Sequence, residues 1–256
     1  MINFISDLDK TLVYSKQIGS KCVEYIDNRE ITYMTQKAYD NFILLLNNKK
    51  FNFIPCTLRD YSQTTRIEFI KLYSPKYMIC DNGASIYVEN NRLEKYDKYL
   101  VTNNIINKKL IKENINKSLD YLYSNNICFR KIKSNDDNFF LIIFNDSKTA
   151  KYNYENIKNI ISPGLVLKLQ NKKLYIIPEK LDKQIACSYL INEFKLTNII
   201  TAGDSNVDDN FVKCGDYIIL PKHATFKNPD AIITNHDGIF AGEDIVNYLS
   251  QYNNIF

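Results

Sequence analysis

The stretch INFISDLDKTLVYS, from Ile2 to Ser15, carries the main indication of fold and chemistry in this sequence. Its first five residues are mostly apolar without alternation, which is typical of a strand buried on both faces of a parallel sheet. Asp7 and Asp9 follow that strand, two positions apart. In an open parallel sheet, ligands bind in the crevice outside the carboxyl ends of the strands. The stretch therefore places two carboxylates where a ligand is expected.

The composition is that of a soluble globular protein with a mild positive charge. The chain has 256 residues, 45% of them hydrophobic and 24% charged, and a formal net charge of +4. The lysines are scattered among asparagines instead of forming a basic stretch, which argues against a nucleic-acid-binding face. The longest apolar runs, FFLIIF and YIIL, are far shorter than the roughly 20 residues that cross a bilayer. We expect neither nucleic acid nor a membrane as a partner.

The cysteines indicate a reducing compartment. They form no CxxC pair and have no metal-ligand spacing, and the chain begins without a basic region followed by an apolar signal core. We therefore expect reduced thiols and a cytoplasmic location. The six cysteines are Cys22, Cys56, Cys80, Cys128, Cys187 and Cys214.

The residues that follow the opening strand indicate alternating helices and strands. After an irregular stretch, apolar residues recur at helical spacing behind a possible Thr35 cap, and FNFIPCT is typical of a second strand. A further helix is predicted from Ser62 to Tyr73. KYMICDNGASIYVE then predicts a strand, a turn at Asn82-Gly83 and another strand.

The middle of the chain interrupts this alternation. Between about 90 and 177, the order helix, strand, strand occurs twice, which predicts a separate α+β layer. After Pro178, a helix from about Lys183 to Phe194 and the strand NIITAGD resume the alternation, and a closing helix follows near Glu243 to Ser250. The predicted fold is α/β, with a Rossmann-like parallel-sheet core formed by 1–89 and 178–256 and an inserted α+β domain at 90–177.

Three strand-end carboxylates indicate a cation site. Asp7, Asp9 and Asp204 would repel one another unless a cation bridges them or one of them holds a proton. Mg²⁺ prefers oxygen ligands and is commonly bound by one or two carboxylates together with a substrate phosphate. We therefore expect Mg²⁺ as the cofactor.

Four short motifs resemble those of haloacid dehalogenase (HAD) superfamily phosphatases, in the same order: DLDKT at 7–11, CTLR at 56–59, DKQIA at 182–186 and GDSNVDD at 203–209. The inserted domain, with DNGASIY just before it, resembles Cof-like and sucrose-phosphate-phosphatase-like members that have a type-II α/β cap. The resemblance implies that 90–177 is a cap. It would exclude water from the phosphoryl site and supply the contacts to the leaving group that determine substrate specificity.

The resemblance also implies roles for individual residues in phosphoryl transfer. Asp7 would be the nucleophile that forms an aspartyl-phosphate, and Asp9 would be the general acid and then the general base. Thr57 would hydrogen-bond the phosphoryl oxygens, and Lys183 would place a positive charge beside them. Arg59 is a candidate substrate-binding residue, with a structural ion pair as its alternative.

The metal site and two neighbouring alternatives complete the set implied by the resemblance. Asp7, the backbone carbonyl of Asp9, and Asp204 would hold Mg²⁺, and Asp208 would complete or orient that set. Lys180 competes with Lys183, and Asp209 competes with Asp208. The sequence departs from the family pattern at two positions: Val207 stands where asparagine is common, and Lys10 stands where glycine is frequent.

The predicted function is hydrolysis of a small phosphorylated metabolite, with sugar phosphates favoured. A phosphomutase of the same superfamily is an alternative, since mutases keep both aspartates of the first motif. A non-catalytic protein that binds a phosphorylated ligand is another. The sequence predicts no oligomeric state.

Overall fold

The computed structural model describes residues 1–15 and 20–253, and these residues form two compact units. The first unit consists of 1–96 and 182–256, and the second consists of 97–181. No described helix is long and apolar enough to cross a membrane.

The described strands and helices are numbered in chain order. The strands are β1 (Ile2–Ser6), β2 (Lys21–Ile26), β3 (Arg29–Met34), β4 (Phe51–Pro55), β5 (Tyr77–Cys80), β6 (Ser85–Val88), β7 (Asn91–Arg92), β8 (Phe129–Asn135), β9 (Phe139–Phe144), β10 (Leu165–Gln170), β11 (Lys173–Pro178), β12 (Ile199–Ala202), β13 (Tyr217–Leu220) and β14 (Ile232–Ile233). The helices are α1 (Gln36–Leu46), α2 (Tyr61–Thr64), α3 (Glu68–Tyr73), α4 (Glu94–Thr102), α5 (Lys108–Ser124), α6 (Ser147–Ile160), α7 (Lys183–Phe194), α8 (Asp209–Val212) and α9 (Gly238–Asn253).

A five-stranded parallel sheet forms the centre of the first unit. Its strand order is β14-β13-β12-β1-β4, so β1 lies between β12 and β4. Every residue of β1 is buried, as the apolar run predicts. Ser6 is in register with both Ala202 and Pro55, so the carboxyl ends of the three strands coincide. The α/β fold with a parallel-sheet core is confirmed.

Aromatic side chains fill the core beside β4. Phe42 of α1 makes edge-to-face contacts with Phe53 and Phe69, with ring centroids 5.1 and 5.2 Å apart. Phe4 of β1 lies 5.9 Å from Phe53. Burial of each such side chain contributes about 1.5–3 kcal/mol to folding. Thr35 caps α1 as predicted, since its side chain accepts a hydrogen bond from the Ala38 N–H.

The stretch before Thr35 differs from the sequence prediction. Residues described there form the antiparallel hairpin of β2 and β3 instead of an irregular segment. Asp27 and Asn28 make its turn with positive φ angles of 48° and 63°, which Asp and Asn tolerate better than most residues. The pairing has register shifts on both sides of Glu24, and a bulge of this kind changes the direction of a side chain.

The helix predicted from Ser62 to Tyr73 is two short helices, α2 and α3. The Thr64 and Thr65 hydroxyls donate to the carbonyls four residues earlier, at 2.9 and 3.0 Å, an arrangement that competes with helix continuation. Ile67 then has an extended backbone and a fully buried side chain. Burial of Ile67 therefore coincides with the break.

The second unit contains a four-stranded antiparallel sheet, α5, α6 and most of α4. Its strand order is β10-β11-β9-β8. Alternate residues of β9, namely Phe140, Ile142 and Phe144, are fully buried with Ile111 of α5 and Ile157 of α6. The α+β layer is thus present. Helix α4, whose sequence EKYDKYLVT is rich in charge, was not predicted, and α9 begins five residues before the predicted closing helix.

Candidate active site

The strand ends bring the predicted residues to one edge of the parallel sheet. The Asp7 N–H donates to the Ala202 carbonyl at 2.9 Å, and the Cys56 N–H donates to the Ser6 carbonyl at 2.7 Å. Asp204, which follows β12, therefore lies on one side of Asp7, and Thr57, which follows β4, lies on the other side. The Thr57 hydroxyl is buried and accepts the Arg59 N–H at 3.1 Å.

Lys183 links two carboxylates in the interior of this site. Its Nζ lies 2.6 Å from Asp7 Oδ1 and 2.7 Å from Asp208 Oδ1. Lys183 is the first residue of α7, whose cap Asp182 accepts the Ile185 N–H at 3.0 Å. Lys183 is fully buried, whereas Lys180 is exposed, so the structure brings Lys183 and not Lys180 into the site.

Asp208 is held by a dense set of hydrogen bonds. Its Oδ2 accepts the Ser205 N–H at 2.9 Å, the Ser205 hydroxyl at 2.8 Å and the Asp204 N–H at 3.2 Å. A side chain at Gly203 would place its Cβ 2.5 Å from the Asp208 Cβ, so only glycine permits this approach. Asp209 instead pairs with Lys213 at 2.9 Å on the surface of α8.

Three aspartates form a group that fits a divalent cation. One carboxylate oxygen each from Asp7, Asp204 and Asp208 lies within 4.8 Å of the other two. Among the described residues, Lys183 is the cation that forms ion pairs in this group, with Asp7 and Asp208, so the three ionised carboxylates and this ammonium together carry a charge of −2. Within the described residues, neither Asp204 carboxylate oxygen accepts a hydrogen bond. Oxygen ligands with excess negative charge suit Mg²⁺.

Burial and mutual repulsion disturb the ionisation of this group. Burial raises the pKa of Asp7 well above its usual value, Lys183 opposes this increase, and the neighbouring aspartates add to it. Burial and the charge of Asp208 raise the pKa of Asp204 to about 6. Burial lowers the pKa of Lys183, but the charges of Asp7 and Asp208 outweigh burial and raise it. A bound cation would favour the ionised form of both aspartates.

The side chain of Asp9 belongs to a second set of charges. Both of its carboxylate oxygens lie 2.7 Å from the Arg59 guanidinium, in a bidentate pair. The remaining Arg59 nitrogen lies 2.7 Å from Glu24, and Arg66 lies 3.0 Å from the other Glu24 oxygen. We call Asp9, Arg59, Glu24 and Arg66 the arginine–carboxylate chain. The backbone carbonyl of Asp9 is the atom that the family resemblance assigns to the metal.

Sequence reasoning missed Glu24 and Arg66. The available signal was a glutamate within the otherwise mostly apolar strand KCVEYI, where a charged residue needs a partner if it is buried. Arg59 was predicted either to bind substrate or to make a structural ion pair, and in the structure it pairs with two carboxylates.

The sequence matches a known family over most of its length. The family model described as sucrose-6F-phosphate phosphohydrolase matches residues 2–220. A search of curated proteins found no significant match.

Solved structures with the same fold include three sugar-related phosphatases. The sucrose-phosphatase of Synechocystis sp. PCC6803, in complex with sucrose and phosphate, has a TM-score of 0.59 and 13% identity, covering 97% of this chain and 98% of that chain. The HAD subclass IIB sugar phosphatase BT4131 has a TM-score of 0.60 and 13% identity, covering 99% of each chain. The trehalose-6-phosphate phosphatase of Aspergillus fumigatus has a TM-score of 0.56 and 12% identity, covering 98% and 92%. These likenesses establish the fold.

Proposed function

The chain belongs to the sucrose-6F-phosphate phosphohydrolase family and is a phosphatase of the haloacid dehalogenase superfamily. On this premise, we propose that it is a Mg²⁺-dependent phosphomonoester hydrolase that acts through an aspartyl-phosphate. Its proposed substrate is a small phosphorylated metabolite of the sugar phosphate class. One observation carries the proposal: Asp7 lies at the end of β1 in contact with buried Lys183, within a group of three aspartates.

Asp7 is the proposed nucleophile. Its Oδ1 is held by Lys183, while its Oδ2 accepts no hydrogen bond within the described residues. In the first half-reaction, a carboxylate oxygen of Asp7 bonds to phosphorus and the bond to the leaving oxygen breaks. The ammonium of Lys183 stabilises the negative charge beside the reacting group. Asp208 and Asp7 together fix the position of that ammonium.

Asp9 is the proposed acid and base. In the first half-reaction, it gives a proton to the leaving oxygen, and in the second, it takes a proton from the water that attacks phosphorus. The phosphorus bond to Asp7 then breaks, and Asp7 returns as a carboxylate. The buried hydroxyl of Thr57 is proposed to hydrogen-bond the phosphoryl oxygens.

Asp7, Asp204 and the backbone carbonyl of Asp9 are the proposed Mg²⁺ ligands, with Asp208 completing or orienting the set. When bound, the cation would offset the negative charge of the carboxylates and of the phosphoryl group. The two aspartates with raised pKa values support this assignment, because they lie close together and, among the described residues, Lys183 is the cation that forms ion pairs within the group.

The proposed substrate class rests on the family and on the names of the structural relatives. The description of the family names a sugar phosphate as substrate. The names of the three relatives are sucrose-phosphatase, sugar phosphatase and trehalose-6-phosphate phosphatase. We also propose that 1–89 with 178–256 is the core domain and 90–177 is the cap domain. All six cysteines are free thiols, which accords with the proposed cytoplasmic location.

The test is phosphate release from a panel of sugar phosphates, nucleotides and an aryl phosphate, with Mg²⁺ or with a chelator. We expect release that needs Mg²⁺, is absent from Asp7→Asn and is fastest for one of the sugar phosphates. Asp209→Asn is the matched control, because it removes a carboxylate from the same motif outside the group of three. Equal release by the wild-type and Asp7→Asn proteins would reject the mechanism, and preference for a nucleotide would reject the substrate class.

A further inference from the structure

Glu24 is a buried carboxylate that the proposed reaction does not use. It lies on β2 with no exposed surface, between the two register shifts of the hairpin. A charge is expensive to bury unless it is paired and hydrogen-bonded. The bulged geometry directs Glu24 inward, while the next residue, Tyr25, is exposed. The fold thus places a charge in the interior where an apolar side chain would cost less.

Both Glu24 oxygens are fixed from several elements. Oε2 lies 2.7 Å from Arg59 and accepts the Thr32 hydroxyl at 3.2 Å. Oε1 accepts two Arg66 nitrogens at 3.0 and 3.2 Å. Arg66 precedes α3, Thr32 lies on β3, and Arg59 follows β4. The Glu24 carboxylate therefore has a single well-defined position.

Arg59 transmits this position to Asp9. The guanidinium is planar and rigid, so fixing one nitrogen against Glu24 restricts the directions of the other two. These two nitrogens hold both oxygens of Asp9. The Asp9 side chain is 51% exposed, and Arg59 is its hydrogen-bond partner within the described residues. The direction of the Asp9 carboxylate therefore depends on Arg59, and that of Arg59 depends on Glu24.

We infer that Glu24 is a positioning residue for the second half-reaction, in which it keeps Asp9 oriented through Arg59 so that Asp9 accepts the proton of the attacking water. The inference rests on the proposed function of Asp9. In this step, the water oxygen bonds to phosphorus, its proton goes to Asp9, and the bond between phosphorus and Asp7 breaks. The carboxylate that Arg59 holds is the form of Asp9 that accepts a proton.

An aryl phosphate separates this role from a merely structural one. Its leaving group departs without protonation, so kcat/KM reports phosphoryl transfer to Asp7 with little need for Asp9. The value of kcat instead reports hydrolysis of the aspartyl-phosphate, which needs Asp9 as base. Loss of orientation at Asp9 should therefore lower kcat and leave kcat/KM nearly unchanged.

The variant is Glu24→Gln, which keeps the shape and removes the charge. We expect kcat to fall about tenfold, part of the roughly 10²–10⁴-fold that a positioned base contributes, with kcat/KM changed less than about twofold. Acid-quenched enzyme should carry a phosphoryl group at steady state. Glu68→Gln is the matched control: it removes a glutamate that also anchors β2, through Lys21 at 3.1 Å, without contacting Arg59, and both constants should stay at the wild-type values.

Three variants decide the inference: Glu24→Gln, Arg66→Met and Asp9→Asn. For Glu24→Gln, equal falls of kcat and kcat/KM, or no change in either, would overturn it. Arg66→Met, which frees one Glu24 oxygen, should give the same split with a smaller fall in kcat, and its failure to do so overturns the inference even if Glu24→Gln does not fold. If Asp9→Asn itself accumulates no phosphorylated enzyme, the proposed role of Asp9 fails first, and the inference fails with it.

Discussion

Two groups of charged side chains lie near the carboxyl end of β1 in the first unit, and they differ in net charge. Within the part of the chain that the structure describes, the group of Asp7, Asp204 and Asp208 has one paired lysine, whereas the arginine–carboxylate chain has two arginines for its two carboxylates. The balanced chain satisfies its charges internally and needs no ion. The unbalanced group keeps two aspartates with raised pKa values, and each has a carboxylate oxygen that accepts no hydrogen bond from the described residues. The cation site is therefore distinguished by its net negative charge and not by the number of its acidic residues.

The largest expected effect is the loss of the nucleophile from the unbalanced group. Asp7→Asn should lower kcat for phosphate release by roughly 10⁴-fold or more, since removal of a nucleophile disables the whole covalent route. Steady-state release from an aryl phosphate in Mg²⁺ measures this. If Asp7→Asn kept a tenth of the activity, the two sets of charges would not differ in the way that we propose.

The next prediction compares the buried ammonium of Lys183 with the exposed ammonium of Lys180. In the presence of a chelator, Lys183→Met should lower the free energy of unfolding by about 3–5 kcal/mol, because Asp7 and Asp208 lose their buried partner. Denaturant unfolding measures the change, and Lys180→Met, at an exposed position three residues earlier, is the control. Similar stabilities for the two variants would show that Asp7 and Asp208 do not depend on Lys183 for charge balance.

Mg²⁺ should bind the unbalanced group and not the arginine–carboxylate chain. Mg²⁺ at a hundredfold excess over its Kd should stabilise the protein by about 2.7 kcal/mol, which is a rise in Tm of roughly 5–10 °C. Asp204→Asn should lose this rise, whereas Glu24→Gln, in the balanced chain, should keep it. Thermal unfolding with Mg²⁺ and with a chelator tests both variants, and an equal loss in the two would contradict the distinction.

The smallest effect is a pH dependence of the metal-free protein. The pKa of Asp204 in the folded protein is raised from 3.8 to about 6, so between these values the folded state binds more protons than the unfolded state. Stability should therefore fall as pH rises from about 4 to about 6, by on the order of 2 kcal/mol. Denaturant unfolding in a chelator across this range measures it, and Asp204→Asn should remove this part of the decrease. A parallel dependence in Asp204→Asn would assign the effect to other groups.

The sequence placed Asp7 and Asp204 of the unbalanced group together because their signals are local, whereas Asp208 and Lys183 were implied by the motif resemblance. Asp7 and Asp204 each follow an apolar strand, and parallel strand ends coincide in space. Lys183 was predicted at the first position of a helix, where the structure has it. Lys10 has φ of 64°, a region that favours glycine, which explains why glycine is frequent at this position; nothing in the structure explains the lysine.

The arginine–carboxylate chain could not be predicted because it depends on contacts distant in sequence. Glu24 lies 35 residues from Arg59 and 42 from Arg66, and a bulge directs its side chain inward. Alternation along β2 gives no information on a side chain whose direction is changed by a bulge. The direction of Asp9 was likewise open, since the chain turns at Lys10 directly after it.

In the proposed mechanism, Asp7 carries the phosphoryl group between the two half-reactions. The most direct test incubates Asp9→Asn with an aryl phosphate and Mg²⁺, quenches in acid and locates the phosphoryl group by peptide mass analysis. We predict one phosphoryl group on the peptide that contains Asp7, and none when the second substitution Asp7→Asn is added. A phosphoryl group on another peptide, or phosphate release by the double variant at the rate of the single one, would contradict the account.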